Sequence, residues 1–122
     1  MTAESIYKTA LGLMSETPAK AKGYAELVVP TVNFMLGDCF RENNTIRAGK
    51  GKEELSEIPE ISDISQEVPF ESELCRVCLV NGLAGYLLLD DDTNKAGYFL
   101  EKYDTAKSSY KRAVLETVED VY

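Results

Sequence analysis

The residues with the clearest potential for chemistry lie in the stretch DDDTNKAGYFLE, which starts at Asp90 and has the ligand spacing of an EF-hand calcium loop. Asp90, Asp92 and Asn94 supply oxygen atoms at loop positions 1, 3 and 5, and Glu101 supplies a carboxylate at position 12. Such a loop needs glycine at position 6 for its sharp turn, and this chain has Lys95 there. The spacing alone therefore does not establish a calcium site.

The residues after Asn94 follow the spacing of a helix, and a helical chain cannot also wrap around a cation. We therefore predict that DDDTN is the tight turn between two antiparallel helices, with Asp92 as the N-cap of the second. Acidic residues at this place also lie next to the positive end of the helix dipole. We predict no metal site here, and the adjacent aspartates Asp90 to Asp92 leave only weak attraction of a cation open.

The three cysteines, Cys39, Cys75 and Cys78, are the other residues that could bind a metal or take part in redox chemistry. A structural zinc site takes four ligands from cysteine and histidine, and this chain has no histidine. A redox CxxC opens a helix beside a βαβ unit, whereas this one lies inside an apolar helical run. The N-terminus has no secretory pattern, so we predict reduced core thiols in a cytosolic protein, without metal or cofactor.

The sequence predicts a protein that is not an enzyme. It lacks histidine, the commonest general acid and base, and shows neither a nucleophile–base pair nor a glycine-rich phosphate loop. The basic residues near the C-terminus are interleaved with acidic ones, so no specific nucleic-acid binding is expected. The longest apolar run, 77–89, is shorter than the roughly 20 residues that a membrane span needs.

The elements that must position these residues are helices, and the chain of 122 residues has the length of one domain, 1–122. The apolar spacing predicts an all-α fold, a bundle of about four helices with a long C-terminal helix and an extended acidic loop between the second and third helices. Pro30 should kink or split the second helix near Val29. The predicted helices cover 3–15, 19–46, 71–89 and 93–121.

The segment 53–70, which we call the arm, fits neither a helix nor a strand. Its aliphatic residues recur at every third position, and prolines interrupt it; the aliphatic residues are Leu55, Ile58, Ile61 and Ile64. A period of three suits an extended, polyproline-like chain that lays one apolar edge on a surface. From 53 to 73 the chain has eight acidic residues and no lysine or arginine, and this window accounts for the net charge of −8. A solvated acidic loop is the alternative.

The last helix carries the most regular apolar stripe of the chain, with steps of three and four residues from Ala96 to Val121. A helix of this length spans roughly 40 Å, which is more than the first helix can cover. We therefore expect its far end to protrude or to contact another subunit. The candidate interaction residues of the chain are those of the arm, Leu55, Ile58, Ile61 and Ile64, together with Tyr110 and Val118 of this helix.

Over most of its length the chain resembles the small head–tail connector (adaptor) proteins of tailed bacteriophages and prophages. The first two predicted helices are similar to the paired N-terminal helices of that family, and the arm to its extended loop. The third helix, the turn and the last helix complete the likeness. The segments that carry it are IYKTALGLMSE, VVPTVNFMLGDCFRENNTIR, IPEISDISQEVPFESEL and VNGLAGYLLLDDDTNKAGYFLEKYDTA.

The resemblance implies a virion structural protein that is assembled in the bacterial cytoplasm. Copies would form a homo-oligomeric ring at the portal, contact the portal and the neighbouring neck or tail proteins, and let DNA pass through the lumen. The arm and the last helix would each reach a neighbouring copy. The residues themselves leave a second class of function open, a small soluble helical regulatory or protein-interaction module.

Overall fold

Five helical segments follow one another in the computed structural model, which describes residues 1–16 and 23–121 and gives only the backbone of 111–121. In this described part the chain is all-α, as predicted, and its only extended pairing is an isolated bridge between Thr2 and Glu67. The helices are α1 (Ala3–Leu13), α2 (Ala25–Asp38), α3 (Phe40–Gly49), the central helix 72–88, and α6 (Thr93–Val121). The predicted helix start at residue 19 and the side chain of Val118 lie outside the described residues.

The prediction of one helix over 19–46 is wrong, because two helices occupy its described part. The break falls at Cys39, whose backbone angles of φ −105° and ψ 12° leave the helical region, and not at Pro30. Pro30 lies inside α2 near its solvent-exposed N-terminal end, where water can satisfy the carbonyl group that loses its helical partner. Cys39 instead turns its side chain into the core, and α3 begins at the next residue, Phe40.

The central helix has three parts that follow without a gap: α4 (Ser72–Leu74), a π-helical segment (Cys75–Leu79) and α5 (Val80–Leu88). The π-helical segment contains the CxxC, and both of its cysteines are completely buried, whereas Arg76 and Val77 between them face solvent. Both thiols of the CxxC therefore lie in the core, within a segment whose hydrogen bonding is π-helical.

Two glycines of α5 let α6 approach closely. A Cβ atom on Gly82 would lie 2.6 Å from the ring of Tyr103 and 2.6 Å from the sulfur of Met35. A Cβ atom on Gly85 would lie 2.7 Å from the Leu100 side chain and 3.1 Å from the Leu100 backbone nitrogen. Neither position has room for a larger residue, because side chains of α6 fill the space next to both glycines.

The core lies around the central helix, which packs against α1, α2 and α6. The predicted stripe of α6 faces it: Ala96, Phe99 and Tyr103 are buried, and Ala106 and Tyr110 are partly buried. The remaining stripe residues, from Ala113 onward, have no described side chains. The stripe is therefore a core-packing face over the half of α6 that the structure describes in full.

Candidate functional site

The arm docks on its own chain, and two asparagine side chains hold its backbone. Asn33 of α2 donates to the Ile61 carbonyl at 2.9 Å and accepts from the Ile61 amide at 2.8 Å. Asn44 of α3 makes the same pair with Leu55, at 3.1 Å and 2.8 Å. Each amide group reproduces the two-bond pairing that a neighbouring strand would give. The arm thus has paired backbone groups although it belongs to no sheet.

The end of the arm nearest the central helix is fixed to the N-terminus of α1. The first amide groups of a helix have no partner inside the helix. Here the amides of Ala3 and Glu4 donate to the carbonyls of Gln66 and Ile64, at 3.0 Å and 2.7 Å. Thr2 caps the same helix through its side chain, which accepts from the Ser5 amide. The arm therefore supplies backbone acceptors that α1 needs.

The four aliphatic residues of the arm differ in where they lie. Ile61 is 4% exposed and belongs to the core, whereas Leu55 and Ile64 are half-buried against it. Ile58 is 53% exposed. The apolar edge therefore contacts the core of this chain at three of its four aliphatic residues. Of the four candidate residues, Ile58 is the one whose side chain remains largely available to a partner.

The acidic residues of the arm face solvent, whereas Glu71, which follows the arm, is buried. Glu71 is 9% exposed, and its carboxylate contacts Lys52 at 2.8 Å and Lys50 at 3.5 Å. The hydrogen bond from Lys52 holds the pKa of Glu71 below its usual value. The Glu71 amide also donates to Asn43. The exposed acidic side chains of the arm, in which Ile58 also lies, are Glu53, Glu54, Glu57, Glu60, Asp63 and Glu67.

A groove of about 560 Å³ separates the outer faces of the central helix and α6. Val77 and Tyr98, which are 52% and 57% exposed, contribute to its walls. Tyr110, a candidate interaction residue, lies at one end, where its hydroxyl donates to the Glu73 carbonyl at 3.0 Å. The ring of Tyr110 is thus part of an open apolar surface, while its hydroxyl is held by the first turn of the central helix.

A buried polar network, which the sequence patterns do not predict, joins α2, α6 and the π-helical segment. The Tyr103 hydroxyl donates to Asp38 at 2.6 Å and lies 3.2 Å from the Cys39 sulfur, which is 3.9 Å from the Cys78 sulfur. Lys107 pairs with the other oxygen of Asp38 at 3.1 Å. These residues are far apart in the sequence, so only the packing of the helices brings them together.

The cysteines of this network are structural thiols. The hydrogen bond with Cys39, together with burial, raises the pKa of Cys78, and burial raises the pKa of Cys75 to about 11. All three cysteines are free and buried. For Cys75 and Cys78 the raised pKa favours the protonated thiol, which is a poor nucleophile and a poor metal ligand, whereas the hydrogen bond with Cys78 lowers the pKa of Cys39. The prediction that the thiols face the core is confirmed.

The turn before α6 has the predicted cap. The amide of Lys95 donates to the Asp92 side chain at 3.1 Å, and the amide of Ala96 donates to the Asp92 carbonyl at 2.9 Å. Asp91 accepts a hydrogen bond from the Tyr24 hydroxyl, and this bond raises the pKa of Tyr24 to about 12. Two of the three aspartates therefore have partners within the protein, and in the described residues no cluster of three or more possible ligands could hold a metal ion.

Replacing Asp92 by alanine should lower the free energy of unfolding by about 0.5–2 kcal/mol, because the first amides of α6 lose their cap. Asp90→Ala is the matched control: it removes the same charge two residues away, and it should change stability by less than about 0.5 kcal/mol. Urea denaturation followed by circular dichroism measures both. A calcium-dependent rise in melting temperature that Asp92→Ala abolishes would contradict the cap and indicate a cation site.

The chain matches no protein-family model, and no curated protein or solved structure is significantly similar to it. In the part of the chain that the structure describes, no helix is both long and apolar enough to cross a membrane.

Proposed function

We propose that this protein is a non-enzymatic virion structural protein, a head–tail connector that assembles as a ring at the portal of a tailed phage or prophage. The observation that carries the proposal is the arm, a long segment without regular secondary structure that is nevertheless held in one conformation by paired hydrogen bonds. It presents the exposed Ile58 within an acidic surface. A segment held in this way can make the same contact in every copy of a ring.

The second support is the length of α6. Tyr110 contacts Glu73 at the start of the central helix, and α6 continues from there to Val121, about three further turns. A contact between two different surfaces of one chain closes into a ring when the rotation between copies allows it. The arm and the C-terminal turns of α6 are two such surfaces. In this proposal the bundle of about four helices is the connector body, and the acidic arm and the long helix contact neighbouring copies.

The charge of the chain suits a conduit for DNA. The net charge is −8, and in the described part of the chain Glu67, which pairs with the N-terminal ammonium group at 3.1 Å, is the one exposed acidic residue of the arm with an ion pair. A negative wall repels phosphates and so does not retain the passing duplex. The partners in this proposal are further copies of the chain, the portal protein and the adjoining neck or tail proteins, in a virion assembled in the bacterial cytoplasm.

A second candidate function, a helical protein-interaction module, is favoured by the groove between the central helix and α6. Its apolar and aromatic walls, with Val77, Tyr98 and Tyr110, suit an amphipathic helix from another protein. The genes next to this one discriminate between the two candidates, since a connector gene lies between capsid and tail genes.

The connector proposal is tested by mixing the purified protein with portal-containing heads, followed by cross-linking and electron microscopy. We expect ring-shaped density on the portal and cross-links between copies. Ile58→Ala should weaken association by about fivefold or more, because an apolar contact is lost. Leu13→Ala, at a site on α1 that is 46% exposed, is the matched control and should bind normally. No association of the unaltered protein with such heads would refute the proposal.

A further inference from the structure

A small cavity lies between α3 and α6, and most of its lining residues are charged. It has a volume of about 150 Å³ and is lined by Glu42, Asp104, Lys107 and Ser108. A water molecule occupies about 30 Å³ in the liquid, so the space exceeds what a single water fills. Glu42 comes from α3 and the other three from successive turns of α6. The cavity is separate from the arm and from the groove beside Tyr110.

Glu42 is a buried carboxylate with an oxygen that has no partner. Only 4% of the residue is exposed, and in the described part of the chain its Oε2 atom makes no hydrogen bond. The other such buried atom, Nδ2 of Asn43, belongs to a residue that does not line the cavity. A buried charge without a partner is costly, and proteins retain one where something else completes it. Glu42 lines the cavity, and the last torsion of its side chain is soft enough for the carboxylate to turn toward a ligand there.

The charges around the cavity leave a negative excess. Among the wall residues that the structure describes, Lys107 is the one basic residue, and its ammonium group already pairs with Asp38 at 3.1 Å. The described wall therefore has two carboxylates, those of Glu42 and Asp104, and one ammonium group that is already paired. Burial works to lower the pKa of Lys107, but the hydrogen bond and charge of Asp38, with the charge of Glu42, outweigh it and raise that pKa. The cavity therefore favours a further positive group.

We propose that this cavity binds a guanidinium group, which donates to the carboxylates of Glu42 and Asp104. A guanidinium is planar, carries five N–H donors in a fixed arrangement and is weakly hydrated, so it suits carboxylates that converge from two helices. An ammonium is a compact and strongly hydrated charge with fewer donors. The group can belong to an arginine side chain of a partner protein or to a small molecule. The proposal does not depend on the connector function.

The binding is tested with ethylguanidinium, with neutral ethylurea as a probe of nearly the same shape, and with ethylammonium. Amide chemical shifts of the isotope-labelled full chain are followed during each titration. We expect saturable shifts at the cavity residues of α3 and α6 with ethylguanidinium, weaker binding of ethylammonium and none of ethylurea. Equal shifts with ethylurea, or shifts that do not saturate, would overturn the proposal.

Two variants assign the binding to the cavity. Glu42→Gln should weaken ethylguanidinium binding by about tenfold or more, because a charge-assisted hydrogen bond is replaced by a neutral one. Glu101→Gln removes the same charge from α6, at a residue that lines the outer groove and not this cavity, and should keep affinity within about twofold. Equal losses in both variants would mean that only the net charge matters, which contradicts the site.

Two further ligands show whether the guanidinium group belongs to a partner protein or to a small molecule. N-acetylarginine amide represents an arginine inside a protein chain, and free arginine represents a small molecule with charged ends. Tighter binding of the amide would indicate a protein partner, and tighter binding of free arginine would indicate a small-molecule ligand. Either result requires the loss of affinity in Glu42→Gln. If neither ligand binds the unaltered protein, the proposal fails.

Discussion

Tyr103→Ala is expected to lower the free energy of unfolding by about 3–5 kcal/mol, because a large buried side chain is removed from the core. Tyr103 is 1% exposed, lies over Gly82 and donates its hydroxyl to Asp38. Its removal opens a cavity beside α5, because Gly82 has no side chain that could fill the space. It also removes one of the two hydrogen-bond donors to Asp38, since Lys107 remains. Denaturation in urea, followed by tyrosine fluorescence and circular dichroism, measures the change.

Two controls separate packing from hydrogen bonding in this prediction. Tyr103→Phe keeps the ring and removes the hydroxyl, so it should cost about 1–3 kcal/mol, the penalty of leaving a partly buried acceptor without its donor. Tyr98→Ala removes an aromatic ring that is 57% exposed on the same helix, and it should cost less than about 1 kcal/mol. If Tyr98→Ala costs as much as Tyr103→Ala, then α6 does not pack with Tyr103 in the core.

Ile61→Ala is expected to lower the free energy of unfolding by about 2–4 kcal/mol, whereas Ile58→Ala should change it by less than about 0.5 kcal/mol. The two residues lie three positions apart in the same acidic segment, but Ile61 is 4% exposed and Ile58 is 53% exposed. Urea is the denaturant of choice, because guanidinium is the ligand proposed for the cavity beside Glu42.

Hydrogen exchange adds a local measure to this prediction. The amides of Leu55 and Ile61 donate to Asn44 and Asn33, so both should exchange slowly in the unaltered protein. Ile61→Ala should speed the exchange at these two amides, while Ile58→Ala should not. Fast exchange at both amides in the unaltered protein would mean that the arm is not docked. Equal stability losses in the two variants would contradict the difference in burial.

The helical character of the chain could be predicted from the sequence because it depends on local spacing. Apolar residues at steps of three and four placed α6 correctly from Thr93 to Val121, and the chemistry of an aspartate at a helix start identified the cap at Asp92. The break in the second predicted helix was misplaced because that prediction, too, used local sequence rules alone. Local rules point to Pro30, whereas the packing of the Cys39 side chain against Tyr103 and Cys78 decides the position.

The sequence by itself determined an all-α chain with an acidic segment whose aliphatic residues recur at every third position, and an EF-hand-like stretch that is a capped turn. Only the tertiary structure decided that the arm docks on its own chain, since Asn33 and Asn44 become its partners once α2 and α3 are folded. The same holds for the buried network at Tyr103 and for the unpartnered Glu42. Spacing fixes which residues share a helix face, but contacts between distant segments depend on how whole helices pack.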